Sequence, residues 1–90
     1  MKKKDLLQHL NLEIEQLKQR RYEDLLKLTK EVEARQSGER DSFYQVEIQA
    51  FCDDKKTGTL RVIVAMDDGG LRTFKPLTGD FLITRSGQLL

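Results

Sequence analysis

The sequence is poor in the residues that stabilise small secreted proteins. Among ninety residues there is one cysteine, Cys52, one proline and no tryptophan. A single thiol forms no disulfide within the chain and no cluster of ligands for zinc. Sixteen basic residues face fifteen acidic ones, for a net charge of +1, so the basic excess typical of a general polyanion binder is also missing. A chain of this length suits one domain, which we expect over 1–90.

Long apolar runs are absent as well. No segment has the twenty or so apolar residues of a membrane span. The basic start, Met1 to Lys4, is followed by Asp5 and by leucines interrupted with polar residues, which is unlike a secretory signal. We therefore expect a cytoplasmic protein with no membrane partner.

The first part of the chain, 1–37, is predicted to be helical. It holds eight leucines and neither glycine nor proline, which favours a helix over about 3–35. Arg21 and Asp24 interrupt its apolar stripe, and Gly38 stands where a helix cap is common. The stripe recurs at steps of three or four residues: Leu7, Leu10, Ile14, Leu17, Leu25, Leu28 and Val32.

The second part, 38–90, changes to a period of two, which predicts strands. A strand over 44–52 and a strand over 60–66 flank a polar turn in which Gly58 takes a left-handed conformation. Further along we expect the following elements: a hairpin turn at 67–70, a third strand over 71–75 ended by Pro76, a turn at 78–80 and a possible fourth strand over 81–84.

Tight turns make these strands antiparallel neighbours. The fold class is therefore α+β, with one long N-terminal helix packed on a three- to four-stranded antiparallel meander in the order α-β-β-β. The sequence leaves two registers for the third strand. In one register Leu71 and Thr73 face the helix, and a slip of one residue places Phe74 there instead.

Two features of this arrangement predict a homodimer. A helix of about 33 residues is about 50 Å long, whereas a strand of about 11 residues spans about 37 Å, so Leu6, Leu7 and Leu10 would extend beyond the sheet. In addition, one helix covers one face of a sheet, and apolar residues fall on the other face. The predicted interface residues are Leu7, Leu10, Ile14 and Leu17 if helices pair, and Phe43, Phe51 and Ile63, with Ala65 and Phe74 or Leu82, if sheets meet. The alternative is a monomer whose helix breaks near Arg20-Arg21 and folds back over the sheet.

The chemistry-bearing residues point to no reaction. Cys52 continues the apolar alternation of its strand and is predicted to be a small core residue. His9 lies between Asp5 and Glu13 at helical spacing, as a surface group does. Asp53, Asp54 and Asp80 would meet at one edge of the sheet, and Asp41 would approach Asp67 and Asp68, but neither group has the spacing of a calcium loop. We expect no cofactor, no metal and no enzymatic activity.

No motif in the chain identifies a family. The predicted function is a small protein-interaction module that acts as a homodimer and binds a further protein partner. The alternative is nucleic-acid binding through the exposed sheet face and the basic ends. Residues predicted to contact a partner or nucleic acid are Arg61, Arg72, Phe74, Lys55 and Lys56, with Lys2, Lys3, Lys4, Arg20 and Arg21 as further cations.

Overall fold

The computed structural model describes residues 3–37, 44–67 and 77–90. Two α-helices and a 3-10 turn precede four strands: α1 (Lys3–Leu17), α2 (Tyr22–Leu26), the 3-10 turn (Lys27–Thr29), β1 (Glu33–Ser37), β2 (Tyr44–Asp54), β3 (Thr59–Asp67) and β4 (Leu77–Ile83).

The strands form one antiparallel sheet in the order β1-β2-β3-β4. Helix α1 lies across one face of this sheet, which confirms the predicted α+β meander. The strands predicted over 44–52 and 60–66 are β2 and β3, and the turn between them has Gly58 at a φ of 74°. That left-handed conformation strains any residue with a Cβ, which explains the glycine.

The prediction of a continuous helix to Arg35 is wrong. Helix α1 ends at Leu17. The backbone N–H groups of Gln19 and Arg20 bond to the carbonyls three residues earlier, those of Gln16 and Leu17, as in a 3-10 turn. Arg21 is extended, with φ −72° and ψ 154°, and α2 begins after it. The break therefore falls where the alternative prediction placed it. It lets Leu25 and Leu28 turn back and become buried on the same small sheet.

Strand β1 consists of residues that were predicted to be helical. Its sequence, Glu-Ala-Arg-Gln-Ser, has no β-branched residue, and none of the side chains from Glu33 to Gln36 is buried. Two ion pairs attach it to the helical layer instead. Arg20 donates two hydrogen bonds of 3.1 Å to Glu33, and Arg35 donates to Glu13 of α1. These long-range ion pairs and the pairing with β2 thus favour a strand where the local sequence favours a helix.

The core lies between α1 and the sheet. Leu6 and Leu10 are buried in it, so the expectation that the first helical turns extend beyond the sheet is wrong for these two residues, although Leu7 is exposed. The buried apolar residues are Leu6, Leu10, Leu17, Leu25, Leu28, Tyr44, Val46, Ile48, Ala50, Leu60, Val62, Val64, Met66, Phe81 and Ile83.

Two further predictions, for residues 78–80 and for Cys52, are wrong. Residues 78–80 were expected to form a turn, but they lie inside β4, which begins at Leu77 rather than at Phe81. Cys52 was expected in the core, yet its side chain is exposed. It points to the helix side by alternation, but it lies past Ile48, the last residue of β2 that pairs with β1.

Several predictions lie outside the described residues: the cap at Gly38, Phe43, the tip of the hairpin at 68–70, and the third strand over 71–75 with its ending at Pro76. Within the described part of the chain, no helix has the length and apolar character needed to cross a bilayer.

Candidate functional site

The sheet face turned away from α1 is the principal candidate site. Side chains of neighbouring strands that pair directly share a face, so the register assigns this face residue by residue. We call it the open face, because none of the described helices packs on it. Its members are Ala34, Gln36, Gln45, Glu47, Gln49, Phe51, Asp53, Arg61, Ile63, Ala65, Asp67, Thr78, Asp80 and Leu82.

Three large apolar side chains form a V on the open face, with Ile63 at its apex and Arg61 between the ends of its two arms. Ile63 pairs with Gln49 on one side and Asp80 on the other, so Phe51 and Leu82, two residues further along each neighbouring strand, are its diagonal neighbours. Diagonal neighbours are about 7–8 Å apart, within reach of large side chains. Phe51 is 46% exposed, while Ile63 and Leu82 are half-buried. We call Phe51, Ile63 and Leu82 the apolar diagonal.

Arg61 lies in the same row as Phe51 and Leu82 and links three strands. Its Nε donates a 3.1 Å hydrogen bond to Asp53 of β2, and its Nη1 donates to Asp80 of β4. The hydrogen bond to Asp80, followed by the one to Asp53, raises the pKa of Arg61 above its ordinary value. The guanidinium is therefore a fixed cation whose donors are already partly engaged.

The carboxylates of the open face do not form a metal centre. The sequence predicted that Asp80 would approach Asp53, and the structure brings both to Arg61, which neutralises part of their charge. Within residues 3–37, 44–67 and 77–90, no group of three or more potential ligands has the geometry to hold a metal ion. Asp41, predicted near Asp67, lies outside these residues.

The helix residues predicted to form a dimer interface differ in burial. Leu10 and Leu17 are buried against the chain's own sheet, and Ile14 packs partly against the same core. A helix pairing through these residues would have to expose them. Leu7 alone of the four is exposed, together with Leu12 on the outer side of α1.

The predicted cationic and aromatic contacts are scattered. Lys55 and Lys56 are exposed in the turn between β2 and β3, on the end of the sheet where Arg61 and Phe51 lie. Phe43, Arg72 and Phe74 lie outside the described residues. The structure thus brings together Phe51, Ile63 and Arg61 of the predicted site, and adds Leu82, Asp53 and Asp80 around them.

Sequence reasoning missed the exposed side of α2. Leu26 is 44% exposed there and forms a groove with the end of β2 that includes Cys52. The stripe of the predicted helix was broken at Arg21 and Asp24, and this was the signal that the residues beyond it would take a different orientation.

No protein-family model, curated protein or solved structure shows a significant match to this chain.

Proposed function

We propose that this chain is a small, non-enzymatic protein-interaction module that acts as a homodimer in the cytoplasm, with the open face as the interface. The apolar diagonal is the observation that supports it. Phe51, Ile63 and Leu82 form a connected apolar strip on a face that the described residues leave uncovered. Burying a large apolar side chain contributes about 1.5–3 kcal/mol, so a partner on this face gains a substantial driving force.

The dimensions of the open face suit a second copy. Its central strand β3 has nine residues, which corresponds to about 30 Å, and four strands at about 4.8 Å spacing cover about 19 Å. The product, about 570 Å², is close to the lower end of the area per partner in a stable protein interface. A twofold axis would place the apolar diagonal of one copy on that of the other.

The charges of the open face favour a protein partner over nucleic acid. Among the described residues, Glu47, Asp53 and Asp80 lie on it together with one arginine, Arg61, whose guanidinium already contacts two carboxylates. A phosphate backbone is attracted by a net positive surface, whereas these described side chains carry a net negative charge. The aromatic platform predicted for stacking is also reduced, among the described residues, to Phe51.

Sedimentation equilibrium of the full chain tests the proposal. We expect wild-type protein to dimerise in the micromolar range and Ile63→Asp to be monomeric, because the substitution places a charge at the centre of the apolar diagonal. The matched control is Gln36→Asp, which adds the same charge at the edge of the same face and should leave the dimer intact.

A wild-type protein that stays monomeric to about 0.5 mM would contradict the homodimer. A dimer that Ile63→Asp leaves unchanged would move the interface away from the open face. Circular dichroism of both variants establishes that any loss of the dimer is not a loss of the fold.

A further inference from the structure

Strand β2 is longer than the strand that covers its outer edge. β1 pairs with β2 from Tyr44 as far as Ile48, whereas β2 continues to Asp54. Beyond Ile48 none of the described strands pairs with this edge, while α2 and the 3-10 turn contact β2. An uncovered length of strand edge offers unpaired backbone donors and acceptors to an extended peptide.

A groove of about 720 Å³ lies along this uncovered edge. Its two walls are the outer side of α2 and the end of β2, and its floor includes the buried residues Ala50 and Leu60. We call it the edge groove, and it is larger than the clefts of about 420 and 480 Å³ elsewhere on the described surface. It is lined by Tyr22, Glu23, Leu26, Thr29, Ala50, Phe51, Cys52, Lys55, Gly58, Leu60 and Arg85.

The walls of the edge groove expose apolar surface. Leu26 on one wall is 44% exposed and Phe51 on the other is 46% exposed. The wall positions are fixed by Tyr22, whose hydroxyl donates to the carbonyl of Gly58, so α2 is attached to the turn between β2 and β3. A peptide alongside β2 would place an apolar side chain against Leu26 on the helix side of the sheet, whereas the side chain of Phe51 lies on the open face.

One end of the edge groove is cationic. Lys55 lies in the turn, and the guanidinium of Arg85 lies against Gly58, where a Cβ would come within 2.5 Å of Nη2. Within the described part of the chain, neither cation has an ion-pair partner. Glu23 is the one anionic residue in the lining, and it lies on the helical wall. This end of the groove therefore attracts a carboxylate.

We propose that the edge groove binds an extended segment of a partner protein, which adds alongside β2 beyond Ile48, packs an apolar side chain against Leu26 on the helix side of the sheet, and places a carboxylate beside Lys55 and Arg85. Main-chain hydrogen bonds supply affinity in this mode of recognition, and the flanking side chains supply specificity. The proposal goes beyond the homodimer, because Ile63 and Leu82 do not line this groove and the contacts proposed for the peptide are with Leu26, Lys55 and Arg85 rather than with the side chain of Phe51.

Selection of random eight-residue linear peptides, displayed on phage, against the full-length chain tests the proposal. We expect the enriched peptides to share an aspartate or glutamate with β-branched or other apolar neighbours. Synthetic copies of them supply the second readout. Cys52 is the single thiol of the chain and lines the groove, so a bound peptide should slow its alkylation by iodoacetamide.

Matched pairs of variants locate the binding. Lys55→Glu should weaken peptide binding about tenfold or more, whereas Lys56→Glu, in the same turn but outside the lining, should change it less than about twofold. Leu26→Asp should likewise abolish binding, while Leu12→Asp, an exposed leucine of α1, should not. Binding that persists in Ile63→Asp separates the edge groove from the dimer interface.

Three results would overturn the proposal. A selection that enriches no peptide is the first, and peptides that bind Lys55→Glu and Leu26→Asp as well as they bind the wild type are the second. The third is a change in the sedimentation of the chain alone on Leu26→Asp, since a second copy rather than a partner peptide would then occupy the groove.

Discussion

At the scale of single residues, Gly79 allows α1 to lie directly on β4. A Cβ at this position would come within 2.5 Å of Cδ1 of Ile14 and 3.7 Å of Cδ2 of Leu10. The backbone here has no positive φ, so the glycine is favoured by close packing against the end of the Ile14 side chain rather than by conformation. Its absence of a side chain determines how closely the helical layer approaches the sheet.

Gly79→Ala should therefore destabilise the fold by about 1–3 kcal/mol, the usual cost of an overpacked core. Ile14→Val removes the atom that the new methyl group would meet, so the double variant should be more stable than the sum of the two single changes predicts. Urea unfolding measures all three. The control is Thr78→Ala, an exposed neighbour in the same strand. A neutral or stabilising Gly79→Ala would show that Ile14 moves aside freely, and the close-packing argument would be wrong.

At the scale of elements, the strands whose apolar residues alternate regularly were predicted correctly from the sequence. The alternation in Tyr44, Val46, Ile48 and Ala50 is strong, and β2 appears where it was expected, as does its neighbour β3. The same alternation placed Phe51 and Ile63 on the uncovered face. Elements with an apolar period are thus predictable, because burial creates both the pattern and the structure.

Strand β1 shows why the rest was not predictable. Its charged residues, Glu33 and Arg35, pair with the helical layer, while Ala34 and Gln36 are exposed, so no apolar period marks it. The pairing of Glu33 with Arg20 and of Arg35 with Glu13 joins residues far apart in sequence and leaves no local signal. The exposure of Cys52 has a similar cause, because its position in the alternation is that of a core residue, whereas long-range packing of the helical layer determines whether it is covered.

β1 should consequently be the first strand to open. The Glu13 side chain is 10% exposed and that of Arg35 is 38% exposed, so Arg35→Met leaves a nearly buried carboxylate without its partner. We expect a local loss of about 1–2 kcal/mol, which makes hydrogen exchange at the β1 amides about 5- to 30-fold faster and leaves β3 unchanged. Exchange followed by NMR measures this. Lys27→Met, which removes the cation of an exposed pair with Asp24, is the control. Equal acceleration in β1 and β3 would indicate global destabilisation instead.

At the scale of the whole molecule, the two layers are unequal. One side of the sheet is covered by helices, while the other combines the apolar diagonal with acidic side chains and an arginine that crosses from Asp53 to Asp80. Apolar burial favours association of two open faces, and the like charges of the two copies oppose it. The balance between these terms depends on ionic strength, because salt screens the charges and leaves the apolar contribution in place.

Dimerisation should therefore become stronger as salt is added. Between 50 and 500 mM NaCl the Debye length falls from about 14 Å to about 4 Å, so the repulsion between the acidic faces is largely screened and the dissociation constant should fall about threefold. Glu47→Gln removes one carboxylate from the open face and should reduce this salt dependence, while the exposed Glu15→Gln of α1 should not. Binding to nucleic acid through the same face would have the opposite sign, since phosphate contacts weaken steeply as salt rises. Sedimentation equilibrium at the two salt concentrations distinguishes these outcomes, and a dimer that weakens with salt would show that ion pairs rather than the apolar diagonal hold the copies together.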